Sequence, residues 1–178
     1  MLGLNAEAPG FSLPGVAGGN DGRWTLDDVR AGWAVLFFYP ADFTFVCPTE
    51  MRGFQDRLPQ FQQLSCRVLA IGTDDLASHR AWAEELGGLD FPLLSDPTRE
   101  TCRAYGVLGA DERPWRATFV LAPGARVAHL TVTPANVGRS VEETLRVLAA
   151  LQTGRLCPAD WRPGQATGPE APAPAAVR

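Results

Sequence analysis

Ala34-Val35-Leu36-Phe37-Phe38-Tyr39 is apolar throughout and ends at Pro40, followed by Ala41-Asp42-Phe43-Thr44-Phe45-Val46-Cys47-Pro48. A run without polar alternation reads as a central strand covered on both faces. Val68–Ile71 and Ala117–Ala122 read the same way. Pro123-Gly124 forms a turn from the latter into Arg126–Val132, an antiparallel neighbour, so a mixed sheet is expected. Helices fill the gaps. One opens at Cys47-Pro48 with Phe54, Leu58 and Phe61 at helical spacing, and Pro59 is expected to kink or end it. Asp96-Pro97 reads as an N-cap with a first-turn proline, and Gly106 as the stop. Ser140-Val141-Glu142-Glu143 has the form of a capping box ahead of Leu145, Leu148 and Leu151, with an end before Gly154. The pattern is that of an α/β domain over residues 1–162. From Pro163 to Arg178 the chain is rich in Pro, Ala and Gly, and is expected to be a disordered tail.

A chain of 178 residues, 46% hydrophobic and 20% charged, suits one globular domain. Its net charge of -4 argues against nucleic acid as a partner, and all 16 basic residues are Arg. No stretch approaches the roughly 18 apolar residues of a membrane span. Met1–Asn20 has no positive charge and no sustained apolar core, so a secretory signal is not expected and a cytoplasmic location is. Cysteines in that compartment are reduced by default, which makes the four here catalytic, redox or core residues rather than a disulfide framework.

Cys47 follows a buried strand and opens a helix, where free N–H groups and the dipole favour a thiolate, the nucleophilic form of cysteine. Thr44, three residues earlier, brings a hydroxyl within reach of the sulfur. Pro40 shields the pocket without adding a competing donor. Cys66 and Cys102 lack such a context and read as structural thiols, and the chain has no Cys-x-x-Cys pair. His79 is expected on an exposed helix face and His129 in a strand. Trp161 offers to pack the terminal segment onto a neighbour.

Pro40, Thr44 and Cys47, continued by Pro48-Thr49-Glu50, resemble the peroxiredoxin signature Pro-x-x-x-Thr-x-x-Cys. The resemblance extends through Asp96-Pro97-Thr98-Arg99, Arg116-Ala117-Thr118-Phe119-Val120 and Val137-Gly138-Arg139-Ser140. Cys157-Pro158-Ala159-Asp160-Trp161 resembles the resolving segment of the typical two-cysteine subgroup, which includes the alkyl hydroperoxide reductase C proteins. The resemblance implies a thioredoxin-like α/β fold, a mixed central sheet flanked by helices, with an extended C-terminal arm. It makes Cys47 the peroxidatic nucleophile, Thr44 its hydrogen-bond partner, Pro40 the shield and Arg116 the active-site guanidinium. Glu50 would orient that arginine, and Arg139 is a further candidate near the site. Cys157 would resolve the sulfenic acid to a disulfide reopened by a dithiol reductant, thioredoxin or a dedicated flavoprotein. Hydrogen peroxide and organic hydroperoxides are the implied substrates, with no cofactor and no metal. A homodimer, and a ring of dimers, follow from the same resemblance. A holdase without turnover and a one-cysteine peroxidase with Cys157 idle are the rival readings. Peroxide-sensitive members of the subgroup carry a Gly-Gly-Leu-Gly loop and a Tyr-Phe element on a helix after the resolving cysteine. Here the loop reads Gly87-Gly88-Leu89-Asp90, and Trp161 is the sole aromatic after Cys157.

Overall fold

The apolar run at 34–39 forms and extends β3 (Trp33–Phe38), and its two faces bury different partners. Val35, Phe37 and Tyr39 enter one core with Met51, Phe54, Trp82 and Leu148, whereas Ala34, Leu36 and Phe38 enter a second with Phe11, Tyr105 and Phe119. Side chains alternate across a strand, so a run apolar at every position requires cover on both sides. This is a computed structural model, and it describes residues 2–172.

Before β3 come β1 (Ser12–Ala17), β2 (Asn20–Thr25) and the short α1 (Asp27–Arg30). After it follow α2 (Cys47–Gln63), β4 (Cys66–Gly72), α3 (Leu76–Glu85), β5 (Leu93–Ser95) and α4 (Glu100–Ala104). The described chain continues through β6 (Arg116–Ala122), β7 (Arg126–Thr133) and α5 (Val141–Gln152). The strands form one sheet in the order β2-β1-β5-β4-β3-β6-β7. β3 pairs parallel with β4 and antiparallel with β6, and β6 pairs antiparallel with β7, so the sheet is mixed as expected. The fold is thioredoxin-like α/β.

Some elements differ from expectation. Pro59 does not end α2, which runs on to Gln63. Pro59 is exposed, so the Gln55 carbonyl it leaves without an N–H partner lies on the solvent side of the helix. Asp96 is not an N-cap. Arg99 is left-handed at φ 61° and α4 starts after it, while the Asp96 carboxylate accepts from the Cys102 N–H at 2.8 Å. Ser140 does cap α5, accepting from the Glu143 N–H, but the box is one-sided because Glu143 turns to Arg146. The stretch after Pro163, expected to be without structure, turns back along the chain over its described part. Leu156 N–H donates to the Pro169 carbonyl at 3.0 Å and Ala171 N–H to the Gly154 carbonyl at 2.8 Å. Trp161 is buried within its own chain, its indole N–H on the Gln165 carbonyl. Residues 173–178 of the expected tail lie outside the described residues.

Candidate active site

Cys47 is the first residue of α2, at the end of the loop that leaves β3, and is fully buried. Val46 holds the N-cap position without a side-chain cap, and Pro48 occupies the first turn, where its missing N–H is not needed. The positive end of the helix dipole is therefore left to the sulfur. Glu50 sits three residues on and shares a helix face with Cys47.

Arg116, first residue of β6, reaches across to both. Its Nη1 lies 3.1 Å from Cys47 Sγ and 2.7 Å from Glu50 Oε2, and its Nε donates to the Ala135 carbonyl at 2.8 Å. Arg139, the lesser candidate in the sequence, turns out to grip the carboxylate rather than the thiol. Its backbone N–H and Nε donate to Glu50 Oε1 and its Nη2 to Oε2, each at 2.8 Å. Its Nη1 reaches the Phe38 and Ala117 carbonyls, and the guanidinium lies 5.4 Å from the Phe37 ring centroid. Burial alone would raise the Glu50 carboxyl. The hydrogen bonds and charge of Arg139, with the charge of Arg116, outweigh it and hold the carboxyl below its ordinary value.

Thr44 stands apart from the sulfur: its hydroxyl donates to the Ala41 carbonyl at 3.3 Å. Pro40 is buried and borders a cavity of about 600 Å³ that Pro114, Trp115, Pro134 and Ala135 also line. The structure thus brings together Cys47, Glu50, Arg116 and Arg139, with Pro40 and Thr44 on the loop alongside. Ala135, which anchors Arg116 through its carbonyl, was invisible in the sequence, since a backbone acceptor carries no residue signature.

His79 requires correction. It is fully buried, with Nδ1 2.8 Å from Asp42 Oδ2 and Nε2 3.1 Å from the Leu94 carbonyl. Tyr39 donates to Asp42 Oδ1 at 2.8 Å, and burial, then the charge of Asp42, pushes its phenol well above the ordinary range.

Residues 4–130 match the family described as the AhpC/TSA family. Peroxiredoxin 2 of Drosophila melanogaster is 40% identical over 175 residues, covering 92% of this chain and 90% of its own. The thioredoxin peroxidase of Fasciola hepatica is 40% identical over 178 residues, covering 94% and 92%. The reduced 2-Cys peroxiredoxin of Plasmodium vivax superposes with a TM-score of 0.87 at 34% identity, covering 92% of this chain and 91% of that one. The chain belongs to the AhpC/TSA family. As a peroxiredoxin it is an enzyme that reduces peroxides with a thiol.

The other thiols of this peroxiredoxin are unlike Cys47. Burial pushes Cys66 up to about 12, and burial followed by the charge of Asp96 pushes Cys102 up as well. Both therefore stay protonated and inert at neutral pH, as structural thiols do. Cys157 is half-buried beyond α5, its Sγ 3.5 Å from the Thr153 hydroxyl and 3.8 Å from the Ala150 carbonyl, and all four cysteines are unbridged. Among the described residues no cluster of metal-ligating side chains occurs, and no helix is long and apolar enough to cross a membrane.

Proposed function

We propose that Cys47 is the peroxidatic thiol of this peroxiredoxin and that Cys157 resolves it. The observation that carries the reading is the Arg116 guanidinium 3.1 Å from a fully buried Cys47 sulfur at a helix N-terminus. The Cys47 thiolate attacks one peroxide oxygen and the O–O bond breaks. Sulfur becomes a sulfenic acid, and the departing oxygen takes a proton to leave as alcohol or water. Arg116 faces the negative charge that moves onto the leaving oxygen. Glu50, gripped by Arg139, orients Arg116. The Thr44 hydroxyl, donating to Ala41, keeps lone pairs free to accept from a hydroperoxide O–H. Pro40 shields the pocket from water.

Cys157 then forms the S–S bond with Cys47 as water departs, and a dithiol protein such as thioredoxin reopens it by exchange. The Cys157 sulfur rests against its own α5 in the unbridged protein, and, as the resemblance to the two-cysteine subgroup implies, its reaction partner is Cys47 of a second copy in an antiparallel dimer, with dimers associating into a ring. Residues 1–162 constitute the catalytic unit and 163–178 an appendage, with the cytoplasm as the site of action.

Steady-state peroxide consumption with a dithiol protein donor tests the reading. Cys47→Ser is expected to abolish turnover. Cys157→Ser is expected to retain one rapid oxidation and lose recycling. Oxidised wild-type protein is expected to run as a linked dimer on a non-reducing gel, and either variant as a monomer. Retained turnover in Cys47→Ser would falsify the assignment, and a monomer-sized Cys47–Cys157 band would make the bridge intramolecular.

A further inference from the structure

Asp42 and His79 form a buried pair that peroxide chemistry leaves unused, with side-chain exposures of 1% and 0%. Three groups converge on the Asp42 carboxylate at 2.8 Å: the Tyr39 hydroxyl on Oδ1, and the Ser78 hydroxyl and His79 Nδ1 on Oδ2. The Leu94 carbonyl can only accept, which puts a hydrogen on His79 Nε2 and leaves Nδ1 to share a proton with the carboxylate. The Asp42 N–H donates in turn to Asp74 Oδ2 at 3.0 Å. Asp42 is thus tied directly to three places, the end of β3, the start of α3 and the β4–α3 connection, and through His79 to a fourth, β5. Buried polar groups of this kind persist only when satisfied, and loss of one partner strands the others.

The hold ends abruptly. Phe43, the next residue, is left-handed at φ 51° and 53% exposed, and Phe45 is 94% exposed. A left-handed phenylalanine is strained, and that strain is relieved once the chain unwinds. The far side of Cys47 is fixed by Glu50 between its two arginines. Cys47 therefore sits on a short span between two anchors.

We infer that the Asp42–His79 pair is a positioning device for the resolution step, setting Asp42 as the fixed end from which Phe43–Thr49 unwinds to carry oxidised Cys47 toward Cys157. This rests on the assignment of Cys47 and Cys157 as the reacting thiols. Five extended residues span at most about 18 Å, so the anchor lets the sulfur leave its pocket yet returns it to one starting position. Pro40 and Ala41, upstream of the anchor, stay in place throughout. Without the anchor the folded loop loses more than the unwound one, so the sulfenic acid spends less time in the pocket, where a second peroxide meets it.

The experiment compares wild type, His79→Leu, His79→Gln and Ser78→Ala during turnover, reading sulfinic acid at Cys47 by mass spectrometry against peroxide dose. His79→Leu is expected to need on the order of tenfold more peroxide for half-conversion, the scale of one buried hydrogen bond to a charged group. His79→Gln, which keeps a donor, is expected to fall between it and wild type. Hydrogen exchange on reduced wild-type protein is expected to show faster opening at residues 43–49 than at 39–42. A purely structural role would lower the melting temperature and leave the sulfinic dose unchanged, and that result overturns the inference. So does equal exchange across residues 39–49. If His79→Leu does not fold, Ser78→Ala and the wild-type exchange pattern decide. Retained turnover in Cys47→Ser defeats the thiol assignment instead, so the two failures are separable.

Discussion

Glu50 holds the site together through proton linkage as well as geometry. Its carboxyl lies below the ordinary value of 4.5 in the folded chain because Arg139 and Arg116 outweigh the effect of burial. A depressed carboxyl contributes stability that is present above its unfolded value and lost as pH falls through the folded one. Unfolding free energy is therefore expected to drop as pH falls below about 4.5 in the wild type, and to drop less steeply in Glu50→Gln. Denaturant titrations of both proteins across that range measure the difference, and parallel slopes would remove Glu50 from the linkage. His79 shows where single residues were legible and where they were misread. It lies three and four residues before Trp82 and Ala83, on the one face of α3 that is buried, so helical spacing alone places it in the core. What spacing does not show is that Asp42, 37 positions away in the chain, supplies the acceptor. Arg139 was legible as a candidate near the site, but that its partner is Glu50 comes only from the fold.

Helix α2 delivers Cys47 and Glu50 while carrying a proline in its last turns. Pro59 removes one N–H and crowds the Gln55 carbonyl, an effect of about 3 kcal/mol in a helix interior, partly offset by its restriction of the unfolded chain. Pro59→Ala is thus expected to raise the unfolding free energy by about 1–2 kcal/mol, visible as a higher denaturant midpoint at unchanged slope. A lower midpoint would mean that the proline is required where it stands. β3, and the runs Val68–Ile71 of β4 and Ala117–Ala122 of β6, were readable because burial on both faces makes them almost wholly apolar, with Thr118 the one polar side chain. β1 and β2 were not: β1 contains Pro14 and Gly15, and β2 reads Asn20-Asp21-Gly22-Arg23-Trp24-Thr25 with most positions exposed. An edge hairpin with so little to bury leaves no periodic trace. The cap of α5 was legible from Ser140, whereas that of α4 was hidden by a left-handed Arg99.

At the scale of the molecule, the chain beyond Cys157 is expected to bear on how the enzyme tolerates its substrate. Its described part runs as an extended return along residues 154–156, with no helix among the described residues after α5. The Tyr-Phe helix expected in peroxide-sensitive relatives has no counterpart among these described residues. The protein is expected to stay active at peroxide doses that inactivate such relatives, with little sulfinic acid at Cys47 after cycling. Mass spectrometry against increasing dose checks this, and extensive sulfinic acid at low dose would show that another element braces the site. The ion cluster drawn from α2, β6 and the β7–α5 connection has an electrical counterpart to that balance. Arg116 and Arg139 with Glu50 and a Cys47 thiolate sum to neutrality. Oxidation to the uncharged sulfenic acid leaves one positive charge unmatched among buried side chains, and a sulfinate would match it again. Of the three oxidation states, the middle one alone breaks electroneutrality, so the pocket has reason to expel the species that must travel and to retain the two that need not.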